Sequence, residues 1–89
     1  MLNNPELQEI RKKIDIQDNI ILKALEERLT LVKKVAEIKK ANNLPIRDLA
    51  REKEVIESKY KKTSLPKEFI KKLYKLIIDN SVSLEEKII

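Results

Sequence analysis

The 89-residue chain contains no cysteine, glycine, tryptophan or histidine, and its only aromatic side chains are Tyr60, Phe69 and Tyr74. Each absence removes a class of chemistry. Without cysteine there is no disulfide scaffold, thiol nucleophile or cysteine zinc site, and a reducing compartment is the compatible one. Without histidine the usual general base and the commonest metal ligand are missing, so no metal site is expected. Without glycine there is no phosphate-cradling loop. No apolar run approaches the ~20 residues that span a bilayer. The N-terminal MLNNPELQEI lacks the basic and apolar regions of a signal peptide. An unprocessed cytoplasmic protein of one small domain, residues 1–89, without membrane association, is the expectation.

What is abundant is charge. Lys and Arg total 20 against 15 for Asp and Glu, a formal net charge of +5. That excess favours encounter with anions of any size. Nucleic acid is one such anion, but three aromatics offer few platforms for stacking bases.

Three prolines, at positions 5, 45 and 66, punctuate a chain that otherwise reads as helix. The first predicted helix runs from Pro5 to Asn42. NNLP ends it, because Asn tolerates turn geometry and Pro45 restrains Leu44. The second runs from Arg47 to Lys61. The third follows KKTSLP, with Ser64 or Leu65 near the cap and Pro66 in the first turn, and ends near Glu86. The expected class is all-α, three helices per chain with one very long.

Helix one is too long for its own chain to cover. Roughly 38 residues at ~1.5 Å each make a rod of about 57 Å, whereas a compact chain of this size has a radius of gyration of ~12 Å. Its apolar residues (Leu7, Ile10, Ile14, Ile21, Leu22, Leu25 and beyond) extend well past one narrow stripe. A second copy is the expected cover, giving an intertwined homodimer in which the long helices pack together.

The heptad seam of this helix reads Arg11, Ile14, Asp18, Ile21, Leu25, Arg28, Val32, Val35, Lys39. Arg28 and Lys39 point toward the middle of an apolar face, where an unpaired charge costs several kcal/mol. One resolution is an internal salt bridge, with Asp48 and Glu52 as candidate partners. The other is a ligand. Arg28 and Lys39 lie about 16 Å apart along the axis, with the modest side chains of Val32, Val35 and Ala36 between them. That is a slot fit for a small dianion, apolar at its floor and cationic at each end. Arg11, roughly 25 Å before Arg28, is out of reach within one chain but can serve a partner's slot if the long helices pair antiparallel. Asp48, Arg51 and Glu52 follow at i, i+3 and i+4 on helix two, so three polar groups can converge on one molecule. Ser81 and Glu85 lie one turn apart on helix three. Taken alone, that pair reads as a fraying, solvated helix end.

The segments LQEIRKKID, LPIRDLAREKEVI and LIIDNSVSLEE, taken in their joint placement, closely resemble the small all-helical (type II) chorismate mutases, over nearly the whole chain from Leu7 to Glu86. The resemblance implies an intertwined homodimer that converts chorismate to prephenate in phenylalanine and tyrosine biosynthesis, without cofactor. It implies that Arg28 holds one substrate carboxylate and that Arg11 of the other protomer holds the second. Lys39 would donate to the ether oxygen whose bond breaks. Glu52 would accept from the ring hydroxyl, helped by the backbone at Asp48, while Arg51 and Ser81 would line the carboxylate side. At position 85 the family often has glutamine, whose amide donates a second hydrogen bond to the ether oxygen. A carboxylate cannot donate, so Glu85 is expected to work as the neutral acid.

The implied reaction is a unimolecular rearrangement that breaks one C–O bond and makes one C–C bond. It needs neither a nucleophile nor a proton transfer, so the missing His and Cys are no obstacle. The protein must supply a compact conformer and positive potential at the ether oxygen. Two other readings stand beside it: an isochorismate-pyruvate lyase on the same fold, and a basic helical dimer that binds nucleic acid through faces such as Lys61, Lys62, Lys71 and Lys72. No fused dehydratase, dehydrogenase or synthase domain and no amino-acid feedback site are expected within these residues.

Overall fold

The computed structural model describes residues 4–89, so the first three residues of the expected 1–89 domain lie outside it. Three helices form: α1 (Pro5–Ala41), α2 (Leu49–Tyr60) and α3 (Lys67–Ile88), with no strand among the described residues. The all-α expectation holds, and no helix among the described residues is long and apolar enough to cross a membrane.

The helix ends follow from local chemistry. At the start of α1, the Asn4 side chain accepts from the Leu7 amide at 3.1 Å, and Pro5, with no N–H to leave unsatisfied, takes the first helical position. At its end Asn43 adopts φ 54°, the left-handed conformation that Asn tolerates better than most residues. The Leu44 amide then reaches back to the Lys39 carbonyl at 2.9 Å and the Asn43 amide to that of Lys40 at 3.4 Å. This pair of bonds satisfies carbonyls that the helix leaves open.

Helix α2 starts two residues later than the predicted Arg47. Asp48 keeps an extended backbone and its side chain accepts from the Arg51 amide at 3.0 Å, so Asp48 is the cap and Arg47 lies outside the helix. Helix α3 likewise shifts. Pro66 is itself the cap, with ψ 134°, and its carbonyl accepts from the Ile70 amide at 3.1 Å. Ser64 and Leu65 do not cap; Thr63 Oγ1 instead accepts from the Leu65 amide. The helix runs on to Ile88, past the predicted Glu86.

The chain divides into two units, the first ending at Leu31 and the second spanning Val32–Ile89. The first is helical and contains no buried residue among those described. Ile10, Ile14, Ile16, Ile20, Ile21, Leu22 and Leu31 are each more than half exposed. Burying one such side chain is worth about 1.5–3 kcal/mol, so this segment holds a large unrealised driving force for association.

The second unit contains the core. Ile70, Ile78, Ser81, Val82 and Glu85 are the buried residues of α3, and their three- and four-residue spacing places them on one stripe. Ala36 of α1 is fully buried as well. Half-buried Glu52, Val55, Ile56 and Lys59 mark the inner face of α2, which packs on α3. Two cations over aromatic rings reinforce that packing: Lys59 Nζ lies 5.6 Å from the Tyr74 centroid, and Lys67 Nζ 4.9 Å from that of Tyr60.

Candidate active site

Lys39 and Glu85 meet. The Lys39 ammonium approaches Glu85 Oε1 to 2.8 Å, with side-chain exposures of 19% and 6%, and also donates to the Ile46 carbonyl. Oε1 is buried, and the ammonium contact is an ion pair by distance without hydrogen-bond alignment. Ser81, one turn before Glu85, is also buried and donates to the Ile77 carbonyl at 2.9 Å. Ser81 and Glu85 are therefore not a fraying, solvated end. They lie on the stripe that begins with Ile70, and the polar pair is enclosed with it.

The internal salt bridge forms with a different partner from those expected. Asp48 spends its carboxylate on capping α2, and Glu52 is taken by Arg47. The guanidinium grips it as a fork, Nε to Oε2 at 3.0 Å and Nη2 to Oε1 at 2.7 Å. The same Nη2 donates to Asp79 Oδ1 at 2.9 Å, and Lys75 donates to Oδ2 at 3.3 Å. These bonds hold Arg47 still further above its ordinary value, the one to Glu52 contributing most. In turn Arg47 first, then Lys75, holds the Asp79 carboxyl below the usual carboxylate range.

The remaining residues fall into place unequally. Arg51 turns outward and pairs with Glu54 at 3.1 Å, both largely exposed. Asp48, Arg51 and Glu52 thus do not converge on one point: the first caps, the second faces solvent and the third faces Arg47. A cleft of about 480 Å³ is lined by Lys39, Leu44, Pro45, Arg47, Asp48 and Leu49. Of the proposed slot floor, Ala36 is fully buried and Val35 is 44% exposed. Arg28, half-buried, and Arg11, exposed, belong to the first unit. Lys61, Lys62, Lys71 and Lys72 are all exposed.

Three groups escaped the sequence reading. The Ile46 carbonyl is backbone and carries no side-chain signal. Arg47 is the first residue of helix two as predicted, where a partner five residues on does not share its face, so its reach to Glu52 from outside the helix was not expected. Asp79 stands in LIIDNS among residues read for their apolar neighbours.

A family profile described as chorismate mutase type II matches residues 10–86. The chain is 40% identical over 89 residues to a bifunctional chorismate mutase/prephenate dehydratase of Aquifex aeolicus, covering 93% of this chain and 25% of that protein. It is 39% identical over 89 residues to a protein of the same description from Buchnera aphidicola, covering 97% and 23%. To a chorismate mutase of Methanocaldococcus jannaschii it is 39% identical over 84 residues, covering 91% of this chain and 85% of that protein. The chain spans about a quarter of the length of the two bifunctional relatives and most of the third. On the match over residues 10–86 and the Methanocaldococcus relative covered over 85% of its length, the chain belongs to the type II chorismate mutase family.

Proposed function

We propose that this chain is a chorismate mutase, rearranging chorismate to prephenate without cofactor, and that it works in the cytoplasm as an intertwined homodimer. The observation that carries the reading is the Lys39 ammonium, largely buried and held between Glu85 and the Ile46 carbonyl. A cation fixed in a low-dielectric place stabilises negative charge developing on an ether oxygen without having to reorganise. In this reading Arg28, and Arg11 from the second copy, hold the two substrate carboxylates. Glu52 accepts from the ring hydroxyl with the backbone at Asp48, Ser81 lines the carboxylate side and Glu85 stands beside Lys39 at the ether oxygen, while Arg51, which pairs outward with Glu54, would have to turn inward to join them. The exposed isoleucines of residues 10–21 support the dimer, since a second long helix is the cover they lack.

The test is loss of chorismate absorbance on adding purified protein, with wild type and Arg28→Ala in parallel and the oligomeric state followed by sedimentation. Expected are prephenate formation by a dimer and its loss in the variant. Turnover of isochorismate to pyruvate in place of chorismate would move the assignment to the lyase. A monomeric active species would refute the shared site.

A further inference from the structure

We infer that Arg47 is a positioning residue for Glu52, an inference that rests on the mutase reading because it is the substrate hydroxyl that Glu52 must meet. The terminal torsion of a glutamate is intrinsically broad. Here both carboxylate oxygens are engaged by one planar fork, at 3.0 and 2.7 Å, which fixes the plane of the group as a single ammonium cannot. An ionised carboxylate has about four lone-pair sites, so each oxygen keeps capacity for the hydroxyl after Arg47 is served.

Arg47 is itself anchored at its far side. Asp79 of α3 accepts from Nη2 at 2.9 Å and is held in turn by Lys75. The chain of contacts runs Lys75, Asp79, Arg47, Glu52, joining α3 to the segment before α2 and then to the first turn of α2. Glu52 is thereby ordered before any substrate arrives. Its side chain is 18% exposed, whereas Arg47 and Asp79 are 45% and 43% exposed. The inner member of the chain is thus the one assigned to substrate, and the outer members serve to hold it.

Loss of the fork leaves Glu52 to be ordered when substrate binds. The expected effect is that of immobilising one side chain, a rise in KM of roughly 3- to 10-fold, with kcat within about 2-fold. The decisive variant is Arg47→Lys, which keeps the charge and cannot form the fork. Steady-state chorismate kinetics and thermal melts of the full chain would compare wild type, Arg47→Lys, Glu52→Gln and the double variant. Expected are a near-wild-type melting temperature for Arg47→Lys, the stated rise in KM, and an added effect of less than about 2-fold when Glu52 is already Gln. An unchanged KM in Arg47→Lys, or the same factor in both backgrounds, overturns the inference while wild-type turnover leaves the mutase reading intact. A wild type without turnover overturns both.

Discussion

Replacing Lys39 by alanine should damage stability and catalysis through separable routes. Two unit charges 2.8 Å apart attract by about 6 kcal/mol at an effective dielectric constant near 20. Desolvation of both groups offsets most of that, so the intact pair contributes little net stability. Removing one partner is another matter, because Glu85 then remains buried without its counter-charge, at a cost of about 3–5 kcal/mol. Lys39 retains some solvent contact, which argues for the lower end, about 3 kcal/mol. For a domain of this size that corresponds to a fall in melting temperature of roughly 12–24 °C, measured at fixed protein concentration because association shifts the midpoint. Catalysis should fall by about 10²–10³ in kcat, the cost of deleting one donor to a developing oxyanion, with KM changing much less. The double variant Lys39→Ala/Glu85→Gln separates the two routes. It neutralises the stranded carboxylate and should regain more than half of the lost stability, yet none of the activity. A melting temperature for Lys39→Ala within 3 °C of wild type, in ~3 kcal/mol terms no loss at all, would refute the buried-pair reasoning. Recovery of turnover in the double variant would show that Lys39 serves only to neutralise Glu85.

Two further predictions concern position 85 and the exposed lysines. Since an amide can donate to the ether oxygen where a carboxylate cannot, Glu85→Gln should match or exceed wild-type kcat; a clear fall in kcat for Glu85→Gln would remove position 85 from the donor role. Replacing Lys61, Lys62, Lys71 and Lys72 together with glutamine should leave kcat/KM within about 2-fold, as expected for solvated surface charges. A larger loss in chorismate turnover, or salt-sensitive nucleic-acid binding that disappears with these lysines, would favour the basic-surface alternative.

The turns were legible because each break is made by a residue with a strong local preference. Asn43 takes the left-handed position in NNLP and Pro66 stands at the start of α3, whereas the caps themselves are not where the sequence reading puts them: it places Asp48 inside helix two and Pro66 inside the first turn of helix three. The partners of charged groups were less legible. Charge placement along α1 showed that Lys39 needs an anion, but Asp48, Glu52 and Glu85 were all available by sign. Packing decides among them: a cap consumes Asp48, an arginine from outside the helix consumes Glu52, and Glu85 is left on the buried stripe. That stripe was itself present in the sequence, since positions 78, 81, 82 and 85 keep helical spacing after Ile70. Its polar members and its nearness to the C-terminus disguised it as a frayed end.

The turn after α1 also bears on the chemistry. The left-handed Asn43 lets Leu44 bond back to the Lys39 carbonyl, and the chain that then reverses delivers the Ile46 carbonyl to the Lys39 ammonium. Backbone and side chain of the same residue are thus both tied by the loop that NNLP creates. An ammonium carries three donors. One is spent on Ile46 and the carboxyl of Glu85 lies against the group on another side, so a donor remains for a substrate oxygen. A lysine side chain free in water would lose about 2 kcal/mol of rotamer entropy on being fixed. Here that loss is incurred when the chain folds, so in the proposed reaction it does not add to the barrier. If the proposed reaction holds, the asparagine turn serves it by fixing the cation.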